Sequence, residues 1–332
     1  MKSPYTGKEM QVQRERRTMS FRKEEFKVIF HSYQCDDTEE KFEDAAFAQL
    51  NYNLLLNQYR EKYSILFPEQ IIELRRKYSL SALKMSEILG FGANSYRQYE
   101  AGDVPNQSNS RLIHLANDPR EFIRLVDLSI TLDDKTRSKL VQRIGSLIDE
   151  QRSRRLESQL EKYFFGASLP NSLNGFRVPS LARFTEMVVF FTERLQPWKT
   201  KLNKLLFYAD FSMFQKTGFS ISGFQYRAIP MGPVPNNFNS IFEFLANNNE
   251  VDIWSTQFED GGTGEQFMLA RDRKFNAELF ANDELRTLEA IADRFKTIST
   301  NEIIDLSHKE KAWIDNEVKK KIIDYSYSFY LN

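Results

Sequence analysis

The chain has a single cysteine, Cys35, among 332 residues. One thiol excludes an internal disulfide framework and suits a reducing, cytoplasmic setting. Glycine (13) and proline (10) are scarce, which favours a mainly helical, ordinarily folded protein over a disordered one. No stretch approaches the roughly 18 apolar residues that a membrane-spanning helix requires. The opening MKSPYTGKEM lacks the apolar core of a signal peptide. The expectation is a soluble cytoplasmic protein without membrane contact. Net charge is also missing: 46 basic residues balance 46 acidic ones. A nucleic-acid-binding role therefore requires the basic side chains to be concentrated on one face. What is present is apolar material, 41% hydrophobic with 28 phenylalanines, enough for the cores of two or three domains. No internal repeat or low-complexity tract is seen.

Along the chain, VQRERRTMSF and EFKVIF flank a charged turn at Arg22-Lys23-Glu24 and predict a β-hairpin. Phe26, Val28 and Phe30 fall on one side at period two. Between Phe42 and Tyr63 the spacing changes. Phe47, Leu50, Leu54, Leu55 and Tyr59 recur every three or four residues, which predicts an amphipathic helix. Pro68 is placed to open the next helix. Residues 119–165 predict charged helices with Leu140, Ile144 and Leu147 on one face, continued by Leu156 and Leu160. The stretch DEQRSRRLESQLEK predicts a solvated connecting helix, and GASLPNSLNGFRVPS (166–180) has linker composition. Beyond it, helices are expected at Leu181–Leu195, Pro197–Lys216 and about 282–297, 300–307 and 309–325, around an irregular, β-capable middle from Gly218 to Leu269. The expected fold class is mainly α (α+β). The expected domains are 1–64, 65–118, a connector over 119–180, and 181–332.

The segment PEQIIELRRKYSLSALKMSEILGFGANSYRQYEAGDVP has the order of a helix-turn-helix. Ile71, Leu74 and Leu80 give the first helix an apolar face. Ser81 is a good N-cap for the second, whose Leu83, Ile88 and Leu89 are expected to turn inward. Gly90 permits the tight turn before the third helix, in which Tyr96 and Tyr99 face the core. Ala93, Asn94, Ser95, Arg97 and Gln98 are left outward. Asn and Gln match adenine and Arg matches guanine or phosphate. Arg75, Arg76, Lys77 and Lys84 are candidate phosphate contacts. The stretch LSALKMSEILGFGANSYRQYEAGDVP resembles the Xre/Cro-type repressor helix-turn-helix. Its tail RQYEAGDVP is similar to that family's R-[WY]-E-x-G-x-x-P ending, with Arg97 and Gln98 shifted against the usual Arg. The resemblance implies binding to operator double-stranded DNA.

The hairpin with its flanks, MKSPYTGKEM and YQCDDTEEKF, resembles the zinc-binding N-terminal domain of one antitoxin group. That group has two C-x-x-C pairs; here Ser3 and Thr6 stand at the first, and Cys35 and Thr38 at the second. With three of four ligands replaced and only His31 nearby, no structural zinc is expected. In that group the following region makes the dimer, which implies a homodimer role for the Phe42–Tyr63 helix; a helix packed within its own subunit is the alternative.

Three clusters mark the C-terminal part: WKTKLNKLLFYADFSMFQKTG, GFQYRAIPMGPVPNNF and TISTNEIIDLSHKEKAWIDN. The first has a buried stripe, the second a Gly-Pro bend, and the third two serine helix caps, Ser299 and Ser307. Together they resemble the Panacea antitoxin domain, over about 140 residues. The resemblance implies a toxin-neutralising domain whose signature includes Lys204, Tyr208, Asp210, Tyr226, Gly232, Pro233, His308 and Trp313, without saying which touch toxin. His308 with Asp305 and Glu310 brings acid–base chemistry to mind, but no nucleophile–base pair or metal motif accompanies it. No catalytic residue and no cofactor is assigned. The expected function is an antitoxin that binds its cognate toxin and represses its own operon. The alternative is a transcription regulator whose C-terminal domain senses another protein or ligand.

Overall fold

The computed structural model describes residues 1–153, 160–161, 163–165, 169–259 and 261–332. Helix accounts for 52% and strand for 16%, the mainly helical α+β class expected. The chain divides into two compact units. One comprises Met1–Leu55 with Glu161–Asn332, and the other Leu56–Leu160. No described helix is long and apolar enough to cross a membrane.

The first unit begins with strands β1 (Gln11–Phe21) and β2 (Glu24–Gln34). They pair antiparallel, Gln11 opposite Gln34 and Phe21 opposite Glu24. Arg22 and Lys23 both have positive φ, 49° and 68°. That matches the primed two-residue turn whose twist suits a hairpin. Phe26, Val28 and Phe30 are buried as period two predicts. A short β3 (Lys41–Phe42) adds to β2. Helix α1 (Ala45–Tyr63) follows, capped by the Asp44 carboxylate, which accepts from the Phe47 N–H at 2.8 Å. Its N-terminal half docks on β2. The Asn51 side chain accepts from the His31 N–H and donates to the His31 carbonyl, both at 2.8 Å. The His31 ring is sandwiched between Phe47 (5.7 Å) and Phe329 (4.4 Å). Burial holds its pKa down to about 4, so the imidazole is neutral.

The remainder of this unit is built around one helix. Helix α8 is Leu181–Leu195 and α9 is Lys199–Thr217. Nearly every side chain of α9 from Lys201 to Phe214 is buried, the pattern of a helix enclosed on all sides. Around it lie α8, the hairpin β4 (Tyr226–Ile229) and β5 (Gly232–Pro235), α11 (Asn282–Phe295), α12 (Thr300–Lys309) and the 3₁₀ turn Tyr325–Tyr330. Helix α10 (Phe238–Asn247) leads to the antiparallel pair β6 (Val251–Gln257) and β7 (Thr263–Leu269). Stacked rings fill the centre: Phe184 on Phe224 at 3.9 Å and Phe211 on Tyr325 at 4.3 Å. The helix expected at 309–325 is shorter. It ends as α13, Lys311–Ile314, and the chain continues in turns, with Lys320 at φ 48°. The 169–180 stretch, rich in Pro, Asn and Ser, packs into the unit. Ser220 Oγ donates to the Asn174 carbonyl at 2.9 Å, and Arg177 bonds Glu284 at 2.5 Å.

The second unit is a helical bundle. It contains the end of α1, then α2 (Pro68–Lys77), α3 (Ala82–Ile88), α4 (Ser95–Glu100), α5 (Gln107–Asn117), α6 (Pro119–Leu128) and α7 (Asp134–Ser153). Side-chain caps open several of them, α7 included, where Asp133 accepts from the Thr136 N–H. Ser81 accepts from Lys84 N–H, Asn106 from Asn109 N–H and Asp118 from Arg120 N–H, each worth about 1 kcal/mol. The core joins Ile71, Leu74, Met85, Ile88, Tyr96, Ile113, Phe122 and Val126. Leu140, Ile144 and Leu147 of α7 enter the same core. Two buried tyrosines end on backbone acceptors: Tyr78 on the Ala116 carbonyl (2.7 Å) and Tyr96 on that of Ile71 (2.9 Å). Leu156 of the expected connecting helix lies outside the described residues.

Candidate functional site

Two groups of residues carry the candidate chemistry, one in each unit. In the helical bundle, α3 and α4 are joined by a turn at Gly90, which has φ 68°. A side chain there would be strained by the left-handed backbone, although the space around it is open. Tyr96 and Tyr99 are buried. Ala93, Asn94, Arg97 and Gln98 are exposed and Ser95 half-buried, as the spacing predicts. Leu83 does not turn inward as expected: it is 49% exposed, and Met85 fills the core in its place. Helical geometry explains the exchange, since Met85 stands three residues before Ile88 and shares its face, whereas Leu83 is five away.

The four candidate phosphate contacts differ in what they do. Arg75 bonds Glu100 at 2.5 Å and the Leu80 carbonyl at 3.0 Å, so it ties α2 to α4. Lys77 donates to the Asn117 carbonyl at 2.7 Å, and burial lowers its pKa. Lys84 pairs with Glu87 at 2.8 Å. Arg76 on α2 and Arg97 on α4 are exposed.

Near the N-terminus, the residues standing at the two ligand pairs are brought together. Thr6 Oγ1 lies 3.7 Å from Cys35 Sγ. Hydrogen bonds from the Ser3 and Thr38 side chains draw the Cys35 pKa down to about 6. Three hydroxyls and one thiol are a poor donor set for structural zinc, which calls for thiolates or imidazoles. The His31 ring is instead packed among aromatic rings.

In the first unit, Lys204, Asp210 and Trp313, three of the residues singled out from the resemblance, bond the β4–β5 hairpin. Asp210 of α9 is fully buried. Its Oδ1 accepts from the N–H groups of Ile221 (2.7 Å) and Ser222 (2.8 Å), and its Oδ2 from Ser222 Oγ (2.5 Å) and Tyr226 Oη (2.7 Å). Burial pushes its pKa up, and these four donors pull it back. Every acceptor position is occupied by a donor, the arrangement of a carboxylate. Asp210 thereby holds both the turn at 221–222 and the first residue of β4.

Lys204, also fully buried, donates to the Pro233 carbonyl of β5 at 3.1 Å. It lies against Gly232, whose φ is 97°. A Cβ there would come within 2.5 Å of both Lys204 Cε and Ser307 Oγ. The third anchor is Trp313, whose indole Nε1 donates to the Ile229 carbonyl of β4 at 2.7 Å. His308 stacks on this indole at 3.9 Å. Tyr208 donates to the buried Glu310 at 3.1 Å, and Glu310 Oε2 also accepts from the Asn332 N–H. Glu310 thus serves α9 and the last residue of the chain, a role that spacing alone does not reveal. Lys204, Tyr208, Asp210 and Tyr226 are all 0% exposed; Lys204 and Asp210 hold the hairpin, and Tyr208 ties α9 to Glu310. Beside the hairpin, a cleft of about 320 Å³ is lined by Arg227, Ile229, Val234 and Phe238, among others.

Lys204 has a testable consequence. Burial pushes its pKa from 10.5 down to about 7. Between those values the unfolded chain binds more protons than the folded one, so stability rises with pH. As pH falls from 10.5 to 7, a contribution on the order of 4 kcal/mol is lost. Lys204→Met should flatten this part of the stability–pH curve. At pH 7 it should be more stable than wild type by about 1–3 kcal/mol, even after losing the bond to Pro233. Urea unfolding at pH 7 and pH 10 measures both; an unchanged slope refutes the assignment.

A comparison with curated proteins finds no match to this chain. Residues 202–314, which run from α9 to the end of α13 and include the hairpin with all three anchors, match the family model described as "Antitoxin SocA-like, Panacea domain", and this part of the chain is similar to that antitoxin domain.

Proposed function

We propose that this protein is the antitoxin of a toxin–antitoxin pair, acting in the cytoplasm. Its first unit binds the cognate toxin directly, and its helical bundle represses the operon by holding operator DNA through α3 and α4. A homodimer would present two such helices to half-sites about one DNA turn apart. The observation that carries the reading is the match of residues 202–314 to an antitoxin domain. Its signature side chains are spent on holding one hairpin in place. The test is growth rescue. Co-expression of the full chain should restore growth to cells expressing the product of the adjacent gene, and the two proteins should co-purify. Absence of both ends the antitoxin reading. The full chain is the right reagent, because Met1–Leu55 belongs to the same compact unit as Glu161–Asn332.

For the repressor half, the exposed Asn94 and Gln98 are assigned to base edges, and Arg76 and Arg97 to phosphate or guanine. Asn94→Ala and Gln98→Ala should each weaken operator binding by about 1–3 kcal/mol, with the fold intact. Mobility shifts at one fixed salt concentration measure this, since phosphate contacts make affinity steeply salt-dependent. Unchanged affinity and sequence preference would remove these residues from the reading surface.

A further inference from the structure

Beyond the three anchors, the outer side of the β4–β5 hairpin joins a surface of unusual composition. The hairpin apex is Pro230–Met231, and Met231 is 50% exposed. Trp313, half-buried, is fixed beside the apex by its bond to the Ile229 carbonyl. Its neighbour Ile314 is 53% exposed and Val318 84%. The turn after α13 keeps these two together, because the N–H groups of Asn316 and Glu317 both bond the Trp313 carbonyl. The chain then runs along the open edge of β4. The Lys320 carbonyl accepts from Arg227 at 2.8 Å, the Lys321 carbonyl from the Ala228 N–H at 3.1 Å, and Ile322 bridges Arg227. These bonds set the 313–322 segment beside the hairpin, so that the exposed Met231, Ile314 and Val318, the half-buried Trp313 and several exposed lysines are carried on adjoining pieces of chain.

Charge on the 309–321 segment is one-sided, although the whole chain is neutral. Lys309, Lys311, Lys319, Lys320 and Lys321 are all exposed, whereas Glu310 is buried and only Asp315 and Glu317 of this segment oppose them. Exposed apolar side chains with a charged rim are the anatomy of a protein interface. Duplex DNA would leave the four apolar side chains against a phosphate backbone and would bring phosphates onto Asp315 and Glu317.

We infer that this face is the docking surface for an acidic protein partner. The partner's apolar centre covers Met231, Trp313, Ile314 and Val318, and its carboxylates meet the lysine rim. The partner's identity as the toxin rests on the antitoxin reading; the location of the surface rests on the geometry above. It also accounts for the anchors: the buried Lys204 and Asp210 and the half-buried Trp313 hold the hairpin whose apex forms part of the face.

The test is calorimetric titration of the full chain with the purified product of the adjacent gene. Ile314→Asp with Val318→Asp should weaken binding by about 30-fold or more, the scale of a lost hot spot. Lys319→Glu with Lys321→Glu should weaken it by about tenfold and reduce its salt dependence. Leu128→Asp, at an exposed position of the helical bundle, should change nothing. All these sites are exposed, and an unchanged thermal midpoint checks the fold of each variant. If wild type binds and the face variants bind equally well, this surface assignment fails while the antitoxin reading stands. If wild type neither binds nor rescues growth, the antitoxin reading fails and takes the assignment with it. If the lysine variants lose affinity for duplex DNA while binding the protein normally, the face belongs to nucleic acid and the assignment is overturned.

Discussion

Asp210→Ala should leave the C-terminal part of the chain unfolded, or nearly so, at 37 °C. The substitution strips four donors at once: the N–H groups of Ile221 and Ser222, the Ser222 hydroxyl and the Tyr226 hydroxyl. All sit in a region without solvent, since Ile221, Ser222 and Tyr226 are 0% exposed. Each buried donor left without an acceptor costs about 1–3 kcal/mol. The total, about 4–12 kcal/mol, rivals the entire stability of an ordinary domain. Asp210→Asn is the sharper comparison, because its shape is the same. An amide presents two N–H groups where the carboxylate presents an acceptor, so one pair of donors faces other donors. The amide should therefore recover only part of the loss. Urea unfolding, or the soluble yield where unfolding cannot be followed, measures both variants. If Asp210→Asn is as stable as wild type, the residue is a neutral acid in the folded protein and the four-donor account is wrong.

Gly232→Val is the second large effect. The φ of 97° lies where side-chain-bearing residues are strained by about 1–3 kcal/mol. The new Cβ also comes within 2.5 Å of Lys204 Cε and of Ser307 Oγ. Neither neighbour can move aside freely, because both are buried. Overpacking adds about 1–3 kcal/mol, so a loss of about 3–5 kcal/mol is expected. The two causes can be separated. Gly232→Ala combined with Ser307→Gly removes one clash and keeps the strained backbone, so it should recover part of the loss relative to Gly232→Ala alone. Thermodynamic cycles on these variants give the coupling directly. No coupling between positions 232 and 307 would mean that the backbone, not the contact, demands glycine.

Much of the local structure was legible in the residues. Period-two spacing placed Phe26, Val28 and Phe30 inward, because a strand with one covered face has no other way to bury them. Ser81 marked a helix start because a short oxygen-bearing side chain satisfies the free N–H groups of a first turn; Asn106 and Asp118, which do the same, showed this only in the structure. The expected Leu181–Leu195 agrees with the structure, where Ser180 caps its first turn. The errors fell where local pattern is weak. Leu83 was read inward, but a helix of seven residues has too few positions to define its face. The last long helix was overextended, because nothing in KKKII forbids a helix. What holds this stretch in another course is a pair of bonds from β4: the Arg227 guanidinium donates to the Lys320 carbonyl and the Ala228 N–H to that of Lys321.

The C-terminal site shows the same division. Its residue types and order were visible, since Lys204, Asp210, Tyr226, Gly232 and Trp313 lie in recognisable clusters. Their work was not visible, because each acts on a residue distant in sequence: Lys204 on Pro233, Tyr208 on Glu310, Trp313 on Ile229. By itself the sequence determined the fold class, the Ser81 and Ser299 helix caps, the buried strand face and the resemblance to an antitoxin domain. All of these depend on neighbours within a few residues or on ordered motifs. Ser307, expected to cap a second helix, instead lies inside α12 with its hydroxyl donating to the Ile304 carbonyl. Only the tertiary structure decided that Arg75 braces Glu100, that a lysine and an aspartate are enclosed without water, and that Ile314 and Val318 remain outside beside Met231. Burial and partner choice are properties of the packed chain, and a linear pattern does not contain them.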